Sequence, residues 1–93
     1  MKKIFDIEIE NFPKDVPISP DGMDYYNGKL YVINHAFLEG ERIEVFKVSF
    51  NPLKLIFEKA FSFEENHLGQ FNSITVINDY VFYVSEWTAI PFL

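Results

Sequence analysis

Ninety-three residues make one small domain at most, and a content of 48% hydrophobic and 18% aromatic residues is enough for a packed core rather than a disordered chain. A net charge of −6 and a pI near 4.7 argue against nucleic acid as a partner, because a phosphate-binding surface needs clustered Lys and Arg. With no cysteine there is neither a disulfide framework nor a Cys-ligated zinc site, whereas an acidic surface suits a cation.

The opening Met1-Lys2-Lys3-Ile4-Phe5 is basic, but Asp6, Glu8 and Glu10 interrupt the apolar run at once, so no signal-peptide core is expected. No stretch approaches the ~20 apolar residues of a membrane-spanning helix. Phe5, Ile7 and Ile9 alternate with the three acids, which predicts a half-buried strand with a solvated acidic face. Pro13, Pro17 and Pro20 then fix an extended connector, since each proline sets φ and removes a backbone donor.

A hairpin is predicted over 22–26 and 29–36, turning at Asn27-Gly28, where both residues accept positive φ. A polar loop follows around Gly40. Strands are predicted at 43–50 and 53–61, separated by a turn at Asn51-Pro52. In the second, Leu53, Leu55, Phe57 and Lys59 share one face by simple alternation. A polar loop at 64–69 carries His67, to which no role is assigned. A second hairpin is predicted over 72–77 and 80–87, with its turn at Asn78-Asp79, and a tail with Pro91 ends the sequence. The tally is seven antiparallel strands and no helix.

The two hairpins align without a gap at a shift of 51 residues, Asp21 falling on Asn72 and His35 on Glu86. A period of roughly 40 to 50 residues with about four strands per period is the signature of a β-propeller. The expected fold is therefore all-β, with antiparallel strands forming one blade (20–62) plus the first hairpin (70–87) of the next. The opening strand and connector (1–19) are expected at the outer edge of a preceding blade. Two blades cannot close a ring, so the chain is expected to be part of a longer one, the alternatives being that it self-associates through an open strand edge or is not stable alone.

Asp21 and Asn72 occupy equivalent positions at the start of each inner strand, where oxygen ligands from successive blades converge on an axial cation. The competing reading is that both cap turns with their own side chains. His35 ends the second strand at the same end of the sheet and is a candidate base or orienting group, set against an ordinary surface hydrogen-bonder. Tyr25, Tyr26, Tyr31, Phe82, Tyr83 and Trp87 are read as packing between blades.

The pieces Ser19-Pro20-Asp21-Gly22-Met23, Leu30-Tyr31-Val32-Ile33-Asn34-His35, Ile43-Glu44-Val45-Phe46-Lys47-Val48, Phe71-Asn72-Ser73-Ile74 and Phe82-Tyr83-Val84 together resemble the serum paraoxonase/arylesterase family. That family reads Pro-His-Gly-Ile, Leu-Tyr-Val-Val-Asn-His, Val-Glu-Ile-Phe-Lys-Phe, Leu-Asn-Asp-Ile and Phe-Tyr in the same order. The resemblance implies a six-bladed propeller holding two calcium ions and hydrolysing aryl esters, lactones and organophosphates. It also implies a calcium ligand at Asn72 and, at His35, the second histidine of a water-activating dyad. Asp21 stands where the family has the first histidine, and Ser73 where it has an aspartate on the structural calcium; both are departures.

The expectation is thus a segment of a calcium-dependent ester or lactone hydrolase, inactive alone, with His35 and Asp21 as catalytic candidates and Asn72 and Ser73 as metal candidates. The alternatives are a non-catalytic propeller segment of the lactonase/strictosidine-synthase-like superfamily and a small β module that binds by strand addition.

Overall fold

The computed structural model describes residues 3–4, 6–36, 40–63 and 69–88, with the backbone alone at 69–70 and 86–88. Phe5, the loop residues Leu38 and Glu39, the His67 loop, the Trp87 side chain and the tail with Pro91 lie outside what is described. Among the described residues there are eight strands and no helix: β1 (Lys3–Ile4), β2 (Ile7–Glu10), β3 (Pro20–Tyr26), β4 (Lys29–His35), β5 (Glu41–Ser49), β6 (Lys54–Ser62), β7 (Gly69–Asn78) and β8 (Val81–Thr88). The eighth, beyond the seven expected, is the short β1, which folds back on β2 through Asp6 at φ 65°.

The strands form a six-stranded sheet in the order β1-β2-β6-β5-β4-β3 and a separate β7-β8 hairpin. Strands β3 to β6 are antiparallel and sequential, as their turn signals demand. Asn27 and Gly28 take φ of 51° and 82°, and Tyr26 faces Lys29 across the turn. A two-residue turn with both φ positive matches the right-handed twist of the strands it joins.

Strand β4 reads as a continuous buried run because both of its faces are covered. Tyr31 and Ile33 point to one side, where they pack with Ile43, Val45, Phe71, Ile74 and Val76. Val32 points to the other, against Ile4, Ile9, Phe46 and Leu55, with Phe12 and Phe57 adding edge and stacked ring contacts. Each fully buried aliphatic or aromatic side chain contributes about 1.5–3 kcal/mol. Tyr31 is 1% exposed, and its hydroxyl has no hydrogen-bond partner among the described residues. Burial pushes its pKa up.

Four expectations need correction. The sheet is mixed, not wholly antiparallel: β2 runs parallel to β6, with Ile9 opposite Leu55. The opening strand therefore lies on the outer edge of the sheet built by β3 to β6, and not on a preceding unit. The physical reason is that Ile4 and Ile9 are buried with Val32, Phe46 and Leu55, and that Lys54 reaches Glu10 at 2.8 Å. Alternation cannot show which edge a half-buried strand will cover.

The second correction is in β6. Val45 faces Lys59 while Phe46 faces Phe57, so Glu58 is an extra residue in the ladder. The bulge reverses the alternation beyond it. Leu55 and Phe57 stay on the face of Phe46, but Lys59 turns to the face of Phe61 and lies 5.4 Å from its ring. Glu58 itself pairs with Lys29 at 2.9 Å.

Third, the turn of the second hairpin is Asp79-Tyr80, not Asn78-Asp79, because Asn78 faces Val81. The Asn78 side chain accepts a hydrogen bond from the Tyr80 amide at 2.8 Å, closing an Asx turn one residue later than the alignment places it. The registers of the two hairpins consequently differ by one: Met23 faces Val32, whereas Ile74 faces Val84. Both hairpins nevertheless carry a bulge near the start of their first strand, between Pro20 and Met23 and between Phe71 and Ser73.

Fourth, the strand aromatics do not act together as packing. Tyr31 is buried and Phe82 packs against it with centroids 6.4 Å apart, but Tyr25 and Tyr83 are 55% and 68% exposed.

Candidate functional site

The residues singled out by pattern meet where β3, β4 and β5 end together. The β4–β5 register places His35 directly opposite Glu41. The β3 bulge brings Asp21 to the other side of the imidazole, and the His35 amide donates to the Ser19 carbonyl at 3.0 Å, fixing the strand end. His35 Nδ1 lies 2.7 Å from Glu41 Oε2, and Nε2 lies 3.1 Å from Asp21 Oδ2. An ionised carboxylate can only accept, so where both are ionised the two ring nitrogens donate, which is the imidazolium form. Burial pulls its pKa down, but the hydrogen bonds to Glu41 and then to Asp21 outweigh that, and the net shift is upward.

This has a consequence for chemistry. In the imidazolium state His35 has no lone pair with which to take a proton. What its contacts supply is a fixed position for the carboxylate of Asp21, the more solvent-exposed partner.

It also has a consequence for stability. A group whose folded-state pKa is raised stabilises the fold fully below its unfolded value, about 6.5 for histidine, and loses that contribution as pH rises through the folded value. The melting temperature is therefore expected to fall by a few degrees from mildly acidic to mildly alkaline pH, and the slope should flatten in His35→Gln. A wild-type melting curve that does not move over this range would contradict the imidazolium assignment.

Glu41 also ties the two sheets together, because its Oε1 accepts the Phe71 amide of β7 at 2.6 Å. Asp24 does the same further along, accepting the Val76 amide at 2.7 Å. Two carboxylates from the large sheet thus cap backbone donors on the edge of β7 that faces away from β8. Between them Gly22 lies against the backbone of β7: a Cβ built on it would sit 2.5 Å from the Asn72 carbonyl oxygen and 2.9 Å from the Ser73 Cα. Asn72 lies at the equivalent bulge of β7 and is exposed. Ser73 is turned to Ser85, with the two hydroxyls 2.8 Å apart and the Ser73 amide donating to Ser85 Oγ at 3.0 Å.

The structure therefore brings Asp21 and His35 into direct contact and sets the Asn72 backbone beside Gly22, while Ser73 is engaged within its own hairpin. Among the described residues the Asp21 carboxylate is engaged with His35 and not with a turn. Among the described residues no group of three or more His, Asp or Glu is disposed to hold a metal ion. Calcium takes six to eight oxygens. Asp21, Asn72 and Ser73 fall short of that number, so the residues present do not make up a calcium shell by themselves.

Beside this site lies a network that the pattern did not single out. Glu44 is 1% exposed and accepts from Arg42 through both oxygens, at 2.7 and 2.9 Å. Asn34, also 1% exposed, donates to Glu44 at 2.8 Å and to the Pro17 carbonyl at 2.8 Å, and accepts from the Ser19 amide at 2.7 Å. It pins the proline connector to the sheet next to His35. The available signals were the Arg42-x-Glu44 spacing, which puts both side chains on one strand face, and the acid at 41 that β4–β5 pairing returns to position 35. Neither stands out without knowing the register.

An open groove of about 580 Å³ lies elsewhere, between β6 and the β7–β8 turn, lined in part by Phe61, Phe63, Tyr80 and Phe82. It shares no residue with the Asp21–His35–Glu41 cluster. Comparison with protein-family models, with curated proteins and with solved structures finds no match to this chain.

Proposed function

We propose that this chain is a segment of a calcium-dependent hydrolase of aryl esters and lactones, resembling the serum paraoxonase/arylesterase family, and that it is inactive alone. In this reading 20–62 is one propeller blade and 70–87 opens the next. The observation that supports it most is the convergence of two positions matched to the family motifs, His35 and Asn72, on Asp21, which departs from them. His35 contacts Asp21 at 3.1 Å, at the same β3 bulge where Gly22 abuts the Asn72 carbonyl. Four sequential antiparallel strands followed by a hairpin packed on the first of them also suit a blade-to-blade step.

A bound calcium supplies polarisation of the ester carbonyl in such a site. The chain's own part is narrower. Asn72 offers one amide oxygen, Asp21 presents a carboxylate towards solvent, and His35 with Glu41 behind it holds that carboxylate in place. The residues present do not complete a calcium shell, and no step is assigned to the ion.

The second reading, a non-catalytic propeller segment of the lactonase/strictosidine-synthase-like superfamily, draws on the Ser73–Ser85 pairing and on the absence of a free nitrogen on His35.

The test is hydrolysis of phenyl acetate and of a simple lactone by the purified chain, with calcium and then with chelator. No turnover is expected. Turnover that disappears on chelation and in Asn72→Ala would overturn the segment reading. The same assay on the product of the whole surrounding reading frame is expected to show calcium-dependent activity that Asn72→Ala lowers by about a hundredfold. An inactive product, or one without further blades, would favour the second reading.

A further inference from the structure

We infer that this chain docks on a lipid surface through the tips of its hairpin turns, at the end of the molecule opposite His35. The surface lies outside the candidate site, and the inference does not depend on the hydrolase reading.

The registers gather the turns at one end. The Val48 amide donates to the Gly28 carbonyl at 3.1 Å and Lys29 faces Lys47, which sets the β5–β6 turn beside Asn27-Gly28. Gly22 abuts Asn72 and Ser73, and the Val76 amide donates to Asp24, so β7 runs alongside β3 in the same direction. The β7–β8 turn therefore reaches the same end. The β1–β2 connection joins them, because Glu8 faces both Lys3 and Lys54.

Every exposed large hydrophobic side chain among the described residues lies within three residues of one of these hairpin turns. Phe50 and Leu53, 66% and 49% exposed, flank Asn51-Pro52. Tyr80, 90% exposed, stands at the apex of the β7–β8 turn between Ile77 and Val81. Tyr25 and Tyr83 lie a little further up their strands. Among the described residues the opposite end, with Asp21, His35 and Glu41, has none. Exposed apolar residues scattered singly need no explanation, but their segregation to one end marks an interaction surface.

The choice of lipid rests on shape and charge. The apolar tips stand on separate turns instead of on one continuous face. A protein partner has to match such a surface in shape, whereas a fluid interface takes up each side chain singly, and tyrosine and phenylalanine favour the headgroup level. At this end Lys3, Lys29, Lys47 and Lys54 offset Asp6, Glu8, Glu58 and Asp79, so the net charge of −6 falls on the remainder of the chain. The protein thus meets the interface with a neutral, apolar end. Its excess acids, Asp21, Glu41 and Glu44 among them, are held away from lipid phosphates, and the lysine stems can lie along the interface with their amines in water.

The wild-type chain should sediment with phosphatidylcholine vesicles. Phe50→Ser combined with Leu53→Ser, and separately Tyr80→Ser, are each expected to lower the vesicle-bound to free ratio by about tenfold. All three side chains are exposed, so the strand signature in circular dichroism should not change. Adding anionic lipid should not strengthen binding, because the chain as a whole is acidic. A second measurement maps the contact. The chain has no cysteine, so a single introduced thiol carries an environment-sensitive dye at one position only. Vesicles should shift the emission of dye on Phe50→Cys and on Tyr80→Cys to the blue. Dye on Ser62→Cys should not respond, since Ser62 is exposed opposite Arg42 at the other end. A wild-type chain that stays free of vesicles overturns the inference. So does binding indifferent to the tip variants, or an equal dye shift at 50 and 62. Binding that rises with anionic lipid would assign it to the lysines and overturn the role of the tips. A chain that ignores vesicles but self-associates until Phe50 is replaced would give the tips to a protein contact instead.

Discussion

Replacing Arg42 by alanine is expected to destabilise the chain by about 3–5 kcal/mol, the cost of stranding one member of a buried ion pair. Glu44 is 1% exposed, and Arg42 supplies two of the three hydrogen bonds it accepts among the described residues. The remaining donor, Asn34, is neutral and is shared with the Pro17 carbonyl. For a small domain of about 5–15 kcal/mol total stability, such a loss approaches unfolding at room temperature. Denaturant titration measures it directly. The double replacement Arg42→Met with Glu44→Leu is expected to recover most of the loss, because removing both charges removes the desolvation cost as well. A single variant that loses less than about 1 kcal/mol would show that Glu44 reaches water or neutralises, and the buried-pair account would fail.

Gly22→Val is expected to cost about 3 kcal/mol and to separate the hairpin from the sheet. The added Cβ would meet the Asn72 carbonyl oxygen at 2.5 Å and the Ser73 Cα at 2.9 Å. Both are backbone atoms and cannot swing aside, so one strand must move, which puts the change at or beyond the usual 1–3 kcal/mol of overpacking. Movement of β7 would also break the Glu41–Phe71 and Asp24–Val76 hydrogen bonds. Amide exchange should therefore lose protection at Phe71 and Val76 first, while Val32, Phe46 and Leu55, on the far side of the sheet, remain slow. Equal loss of protection on both sides would mean that the hairpin and the sheet unfold as one unit. Unchanged protection would mean that Gly22 is not a contact point.

These two sites differ in how openly the chain advertises them. Gly22 stands in the stretch that pattern reading singled out, since the 51-residue repeat sets Asp21 on Asn72. Glu44 stands inside a strand-like run rich in Val, Ile and Phe, and Arg42 in the polar stretch before it, and nothing local pairs them. Only the β4–β5 register, with Asn34 opposite Arg42, places both beside a buried amide. The convergence of Asp21 and His35 was legible because both sit at strand ends joined by a short turn. Glu41 was not, because its partner depends on how far β5 extends before Ile43.

The sequence alone determined the local framework: an all-β chain with no helix among the described residues, the Asn27-Gly28 turn, and four sequential strands from 20 to 62. These follow from turn chemistry and apolar patterning, which act between residues a few positions apart. Tertiary structure decided the rest. It chose the parallel pairing of β2 with β6, which depends on where Ile4 and Ile9 find cover. It placed the bulge at Glu58, which lets Phe57 and Phe61 serve opposite faces of the sheet, and it slipped the second hairpin by one residue through the Asn78 side chain. It also set His35 between two carboxylates by returning Glu41 to it. All four outcomes depend on contacts between residues distant in sequence or on side-chain hydrogen bonds, and a period of two residues carries no information about either.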